Sequence, residues 1–236
     1  MIALDPIYNI RPTDEMFVDC VATPLSEGQA TYCLNLAWIK LFDSAPSINS
    51  LAILWSQSCL ETGRWKLLRN HNWGNIKKVS GEKYTSYFCS EVLNGINVNF
   101  YSYNPQTFFG SWDSALDGAV FYINFVANRP RYKKAWVALQ EGNPTKYVTE
   151  LKNGGYFTAP LNSYLATVMK LYNEFLSRKE ELLAWQPPIV LEPVPEPKQD
   201  PPAPPPETPP ITPINTQPDF FSAIIKFLMQ LLGNKG

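Results

Sequence analysis

Proline is distributed so unevenly along this 236-residue chain that it sets the limits of any folded unit. Of 22 prolines, 14 fall between Trp185 and Pro218. Proline lacks a backbone N–H and fixes φ, so this stretch favours extended polyproline II, a semi-rigid spacer of about 3 Å per residue. The pattern predicts an irregular arm over 1–26 carrying Pro6, Pro12 and Pro24, a folded domain over 27–184, a tether over 185–218 and a last segment over 219–236. In that segment Asp219, Ser222, Lys226 and Gln230 form one narrow polar stripe, and the rest of the helix circumference to Leu232 is apolar. Such a helix is expected to dock on a protein partner or a membrane surface. The apolar run Phe220 to Leu232 is shorter than the roughly 20 residues that span a bilayer.

Charge and cysteine usage exclude several function classes. Residues 1 to 184 carry 17 Lys/Arg against 16 Asp/Glu, so no clustered positive charge points to nucleic acid. Cys20, Cys33, Cys59 and Cys89 form no Cys-x-x-Cys pair and His71 is the single histidine, so neither a metal site nor a cofactor is expected. Met1 to Arg11 lacks a cationic start followed by an apolar run, which predicts synthesis in the cytoplasm without a signal peptide.

Within the domain, hydrophobic spacing predicts a mainly α fold with one β excursion. Helices are expected over Glu27 to Phe42 and over Ile48 to Leu60, the second apolar on most sides and therefore buried. Short Tyr-, Phe- and Val-rich segments follow, with Tyr84 to Val92 and Ile96 to Tyr101 reading as a hairpin about Asn94-Gly95. Helical spacing resumes after Trp112, with Asp113 as cap and Pro130 as stop. Shorter helices at Lys133 to Leu139 and Thr145 to Lys152, a Gly154-Gly155 break and a long helix over Leu161 to Leu183 complete the pattern.

The second helix ends at Glu61-Thr62-Gly63, where glycine can close a helix in the left-handed conformation. A carboxylate therefore stands at the exit of a buried helix, with Trp55, Trp65 and Trp73 near in sequence. Apolar surroundings raise a carboxyl pKa enough to keep it protonated near neutrality, as an acid catalyst of glycosidic cleavage requires.

The stretch Ala52 to Gly63, AILWSQSCLETG, followed by Asn72 to Lys77, NWGNIK, resembles the opening of family 73 glycoside hydrolases, the bacterial and phage glucosaminidases and flagellar muramidases. Ser90-Glu91-Val92, Pro130-Arg131-Tyr132 and Gly155-Tyr156-Phe157-Thr158 resemble further family segments in the same order. The likeness spans about Ile48 to Phe175, and the glycine of NWGNIK stands one position from the family's place. It implies a lysozyme-like domain that cleaves peptidoglycan glycan strands, with Glu61 as general acid, Glu91 as second carboxylate and Tyr156 lining the cleft. Glu82 and Asp113 are substitutes for Glu91. Asn72 and Asn75 are expected to bond acetamido or hydroxyl groups, and Trp73 and Tyr101 to stack on sugar faces.

A phage enzyme, acting at the cell wall from a virion or as a free lysis protein, suits this architecture. Water activated by Glu91, assistance from the substrate's own acetamide, and lytic transglycosylation remain open as mechanisms. Two other readings stand beside it: a non-catalytic adaptor of a larger assembly, and a Cys-His amidase using Cys59 and His71.

Overall fold

The computed structural model of the protein describes residues 10–93 and 96–187. The tether from residue 188 onward, the apolar helix expected over 219–232 and the Asn94-Gly95 turn lie outside the described residues. Among those described, the order is α1 (Glu27–Phe42), α2 (Ile48–Glu61), β1 (Tyr84–Ser86), β2 (Cys89–Leu93), β3 (Ile96–Phe100), β4 (Phe108–Gly110), α3 (Ala115–Asn128), α4 (Lys133–Gln140), α5 (Pro144–Asn153) and α6 (Leu161–Leu183). The architecture is mainly α, as the spacing predicts, with two small antiparallel ladders where a single hairpin is expected.

α2 is the axis of the domain. The Ser47 hydroxyl accepts from the Ser50 N–H at 3.0 Å and so satisfies one of the helix's unpaired amides. Ser50 Oγ in turn donates to the Leu139 carbonyl at 2.9 Å, fixing the start of α2 on α4. Every residue from Ser50 to Cys59 is buried, with α1, α4 and α6 packed around the helix. α1 opens with a reciprocal capping box between Ser26 and Gln29 and closes on Asp43 in the left-handed conformation.

A partly buried ion cluster ties these helices together. Arg64, just past α2, donates two bonds to Glu174 of α6 at 2.8 and 2.6 Å and one to Glu27 of α1 at 2.6 Å. Arg178 adds bonds to Glu27 at 2.6 Å and Glu181 at 2.8 Å. The planar guanidinium fork makes this geometry bidentate, which a lysine at position 64 would not reproduce.

Three expectations are corrected. Tyr84 to Val92 is not one strand: β1 pairs with β4 (Tyr84 opposite Gly110) and β2 with β3 (Cys89 opposite Phe100). The first ladder closes at Ser86, whose hydroxyl bonds Thr107 Oγ1 at 2.7 Å and accepts from the Tyr103 N–H at 2.6 Å, while Tyr87 stacks on Phe109 at 4.2 Å. The cap of α3 is Ser114; Asp113 instead pairs with Lys83 at 2.8 Å. Packing also continues past Ala184, because the Trp185 ring lies 5.4 Å from Tyr32 and fills the space a Cβ at Gly28 would occupy, 2.6 Å from Trp185 Cγ.

Candidate active site

The exit of α2 is held in an unusual backbone conformation. Gly63, Arg64 and Trp65 have φ of 55°, 56° and 57°, and Asn70, His71 and Asn75 have φ of 45°, 55° and 47°. Residues other than glycine occupy this left-handed region only where surrounding contacts determine them. Arg64 is fixed by its ion pairs, and the Trp65 indole donates to Ser58 Oγ at 2.8 Å. Asn70 and His71 are fixed by the N-terminal arm. Asn70 donates to the Asp19 carbonyl at 2.9 Å and accepts from the Val21 N–H at 2.8 Å, and the His71 N–H donates to Thr23 Oγ1 at 2.9 Å.

The loop so held brings Glu61 to one wall of an open groove of about 970 Å³ between the helices and the β portion. The half-buried Glu61 carboxyl accepts a hydrogen bond from the Tyr164 hydroxyl at 2.7 Å. Tyr164, in the first turn of α6, is stacked flat on Phe157 at 3.7 Å. The Lys152 ammonium supports that loop by donating to the carbonyls of Thr158 and Ala159, both at 2.8 Å. Burial pushes the Glu61 carboxyl up to about 7, the Tyr164 bond opposing the shift.

Beneath Glu61, one turn back on α2, Gln57 accepts from the buried hydroxyls of Tyr122 and Tyr147. The Tyr156 hydroxyl donates to the Gly74 carbonyl at 3.1 Å. Gly74 has to be glycine, since a Cβ there would stand 2.3 Å from that hydroxyl. Glu91, on β2, also lines the groove and pairs with Lys77 Nζ at 2.7 Å. Lys77 also lies 4.2 Å above the Phe109 ring and donates to the Gln106 carbonyl at 2.6 Å.

Of the expected site residues, Glu61, Glu91, Tyr156 and Asn75 line the same groove. Asn75 donates to the Glu61 carbonyl and accepts from the Tyr87 hydroxyl at 3.2 Å, so its amide braces the loop as well as facing the groove. Asn72 and Trp73 correct the expectation of sugar contacts. Asn72, 1% exposed, is saturated by Ile76 and Gly110 backbone groups at 2.8 to 3.0 Å, and Trp73, fully buried, donates to the Ala115 carbonyl at 2.9 Å. Tyr101 is 63% exposed and rests 5.7 Å from Phe88 on the β portion, outside the groove lining. Glu82 and Asp113 do not line the groove either.

The three tryptophans near Glu61 in sequence pack edge to face on one another in the core, with Trp55 to Trp65 at 5.1 Å and Trp65 to Trp73 at 6.3 Å. Tyr164 and the tyrosines around Gln57 lie by Glu61 instead. Tyr164 carries no local sequence signal as a site residue, and Lys77, though it ends the NWGNIK segment, has no expected role there. Each is brought to a carboxylate by packing between segments distant in the chain. Cys59 and His71 are both absent from the groove lining, and burial pushes the Cys59 thiol up to about 12, which removes its thiolate character.

No protein-family model matches the chain, and no curated protein matches it. Solved structures similar to it include a peptidoglycan hydrolase from Sphingomonas sp. A1, 21% identical with a TM-score of 0.45 over 69% of this chain and 92% of that one. The glycoside hydrolase domain of FlgJ from Salmonella typhimurium is 16% identical with a TM-score of 0.43, over 67% and 93% of the two chains. The catalytic domain of the autolysin Auto from Listeria monocytogenes is 19% identical with a TM-score of 0.46, over 67% and 89%.

Proposed function

We propose that the chain is a glycosidase acting on the glycan strands of peptidoglycan, with Glu61 as general acid. The observation that carries this reading is a carboxyl held near pKa 7 on the wall of a groove that a second carboxylate also lines. An acid is most effective when its pKa lies near the working pH, because it is then both substantially protonated and strong enough to give up the proton.

In the reaction, the Glu61 proton passes to the glycosidic oxygen as the bond from the anomeric carbon to that oxygen breaks, its electron pair staying with the oxygen. Water adds to the anomeric carbon and loses a proton to Glu91, whose carboxylate is held 2.7 Å from the Lys77 ammonium. Solvent then returns a proton to Glu61 and takes one from Glu91. Tyr156 orders the Gly74 carbonyl at the base of the groove, and Tyr164 aims the Glu61 carboxyl.

Digestion of purified peptidoglycan tests the proposal, with new reducing ends and fragment masses read for the wild type and Glu61→Gln. Reducing ends released by the wild type and lost in the variant are expected. A folded wild type that releases none would refute the enzyme and leave the adaptor reading, whereas anhydro termini without reducing ends would replace hydrolysis by transglycosylation.

A further inference from the structure

The groove carries more positive charge than a neutral polysaccharide calls for. Its described lining holds Arg69, Lys77, Lys78, Arg129 and Arg131 against two carboxylates, in a chain whose net charge is −1. One of those carboxylates is neutralised by Lys77 and the other is held protonated to about pH 7. That leaves Arg69, Lys78, Arg129 and Arg131 as positive charge on the lining, the last two consecutive but for one proline.

These two arginines are placed by the backbone with some precision. α3 ends at Asn128, Arg129 is extended at φ −85° and ψ 125°, and Pro130 then starts a short 3-10 turn to Tyr132. The turn packs directly on Gly154, where a Cβ would stand 2.8 Å from the Arg131 carbonyl and 2.7 Å from the Tyr132 ring. Each guanidinium lies over an aromatic face, Arg129 at 4.3 Å from the Phe125 centroid and Arg131 at 4.7 Å from that of Tyr132. Both rings pack on Tyr156, at 6.4 and 5.7 Å. The two cations are thus one ring away from the residue that borders Glu61.

Arg11, Arg64 and Arg178 each bond a carboxylate of the protein at 2.6 to 2.8 Å; among the described residues, Arg129 and Arg131 form no ion pair. A guanidinium steadied by an aromatic face keeps its in-plane N–H fork free, and that fork matches a carboxylate bidentately. We infer that Arg129 and Arg131 form a subsite for a carboxylate carried on the glycan, belonging to its lactyl ether or to the peptide attached there. The inference rests on the glycosidase reading and adds to it a preference for acidic over neutral glycan.

Three substrates separate the sources of charge: peptide-bearing glycan strands, strands stripped of peptide that keep the lactyl carboxylate, and a neutral N-acetylglucosamine oligomer. For Arg129→Gln/Arg131→Gln, the ratio of kcat/KM on the acidic over the neutral substrate is expected to fall roughly 10- to 100-fold, mainly through KM, the range of one charge-assisted hydrogen bond. A fall on peptide-bearing strands alone assigns the peptide carboxylates, and a fall on both acidic substrates assigns the lactyl group. A ratio equal to that of the wild type overturns the subsite. If the wild type cleaves none of the three, the glycosidase reading fails on its own. Binding of fluorescent peptide-bearing and neutral fragments to the intact wild type and the double variant then decides: a selective loss for the acidic fragment supports the subsite, and equal affinities overturn it.

Discussion

Glu61→Gln should make the protein more stable as it removes the proposed activity, and only above a defined pH. Burial raises the Glu61 carboxyl from 4.5 in the unfolded chain to about 7 in the folded one. Below pH 4.5 both states hold the proton and the glutamate has no ionisation penalty. Between pH 4.5 and 7 the unfolded state releases its proton while the folded state keeps it, so wild-type stability falls with rising pH, and above 7 the loss is complete. One pKa unit corresponds to about 1.4 kcal/mol, so the whole effect is on the order of 3 kcal/mol. Glutamine has the same shape, can accept the Tyr164 hydrogen bond and never ionises, so it escapes this penalty. For a domain of this size that corresponds to a melting temperature roughly 6 to 12 °C above the wild type at pH 8, and a difference near zero at pH 4. Carboxylates held below the usual range by arginines, such as Glu174 beside Arg64, affect both proteins alike and cancel in the comparison. Calorimetric melting across pH 4 to 9 is the assay. A difference that does not change with pH would mean that Glu61 ionises in the fold as it does in water, and the basis for its role as acid would be gone.

Tyr164→Phe removes a hydrogen bond that favours ionised Glu61, so the alkaline fall of kcat/KM should move to higher pH; an unmoved limb would show that this bond has no bearing on the acid. Lys77→Met leaves Glu91 without its cation and should lower kcat about tenfold, the equivalent of one charge-assisted hydrogen bond, while single-turnover kinetics that match the wild type would contradict the role given to the pair. Gly118→Ala should cost about 1 to 3 kcal/mol in urea unfolding although alanine is the better helix former, because its Cβ would stand 2.0 Å from the His71 carbonyl; wild-type stability would contradict the close contact of α3 with that loop.

What could be read from the sequence divides by distance along the chain. α1 and α6 have the expected bounds because their signals are local, apolar spacing with a cap or a break at each end. The position of Glu61 was legible for the same reason: a helix apolar on most sides is buried, so the residue at its exit emerges from the core. Strand pairing was not legible, because β1 and β4 are joined across more than twenty residues and nothing near Ser86 announces that the chain changes partners there. Aromatic residues misled in one direction. Trp73 looks like a sugar platform beside Asn72 and Asn75, but an indole that has found a carbonyl for its N–H can be buried whole, and α3 supplies that carbonyl from Ala115.

The arm was the least readable part, since polar contacts to backbone groups leave no periodic trace. Residues 19–23 bind a loop whose φ values at Asn70 and His71 most residues avoid, and that loop leads into the Gly74 carbonyl and the Asn75 amide at the groove. Strain of this kind, of order 1 to 3 kcal/mol per residue, persists only while the surrounding contacts hold it. Loss of the Asn70 bonds would let the loop relax toward ordinary conformations and carry Asn75 away from the Glu61 carbonyl. The placing of the Glu61 carbonyl's partner therefore depends on residues 19–23 of the arm, through a loop backbone that keeps these conformations only while it is bound.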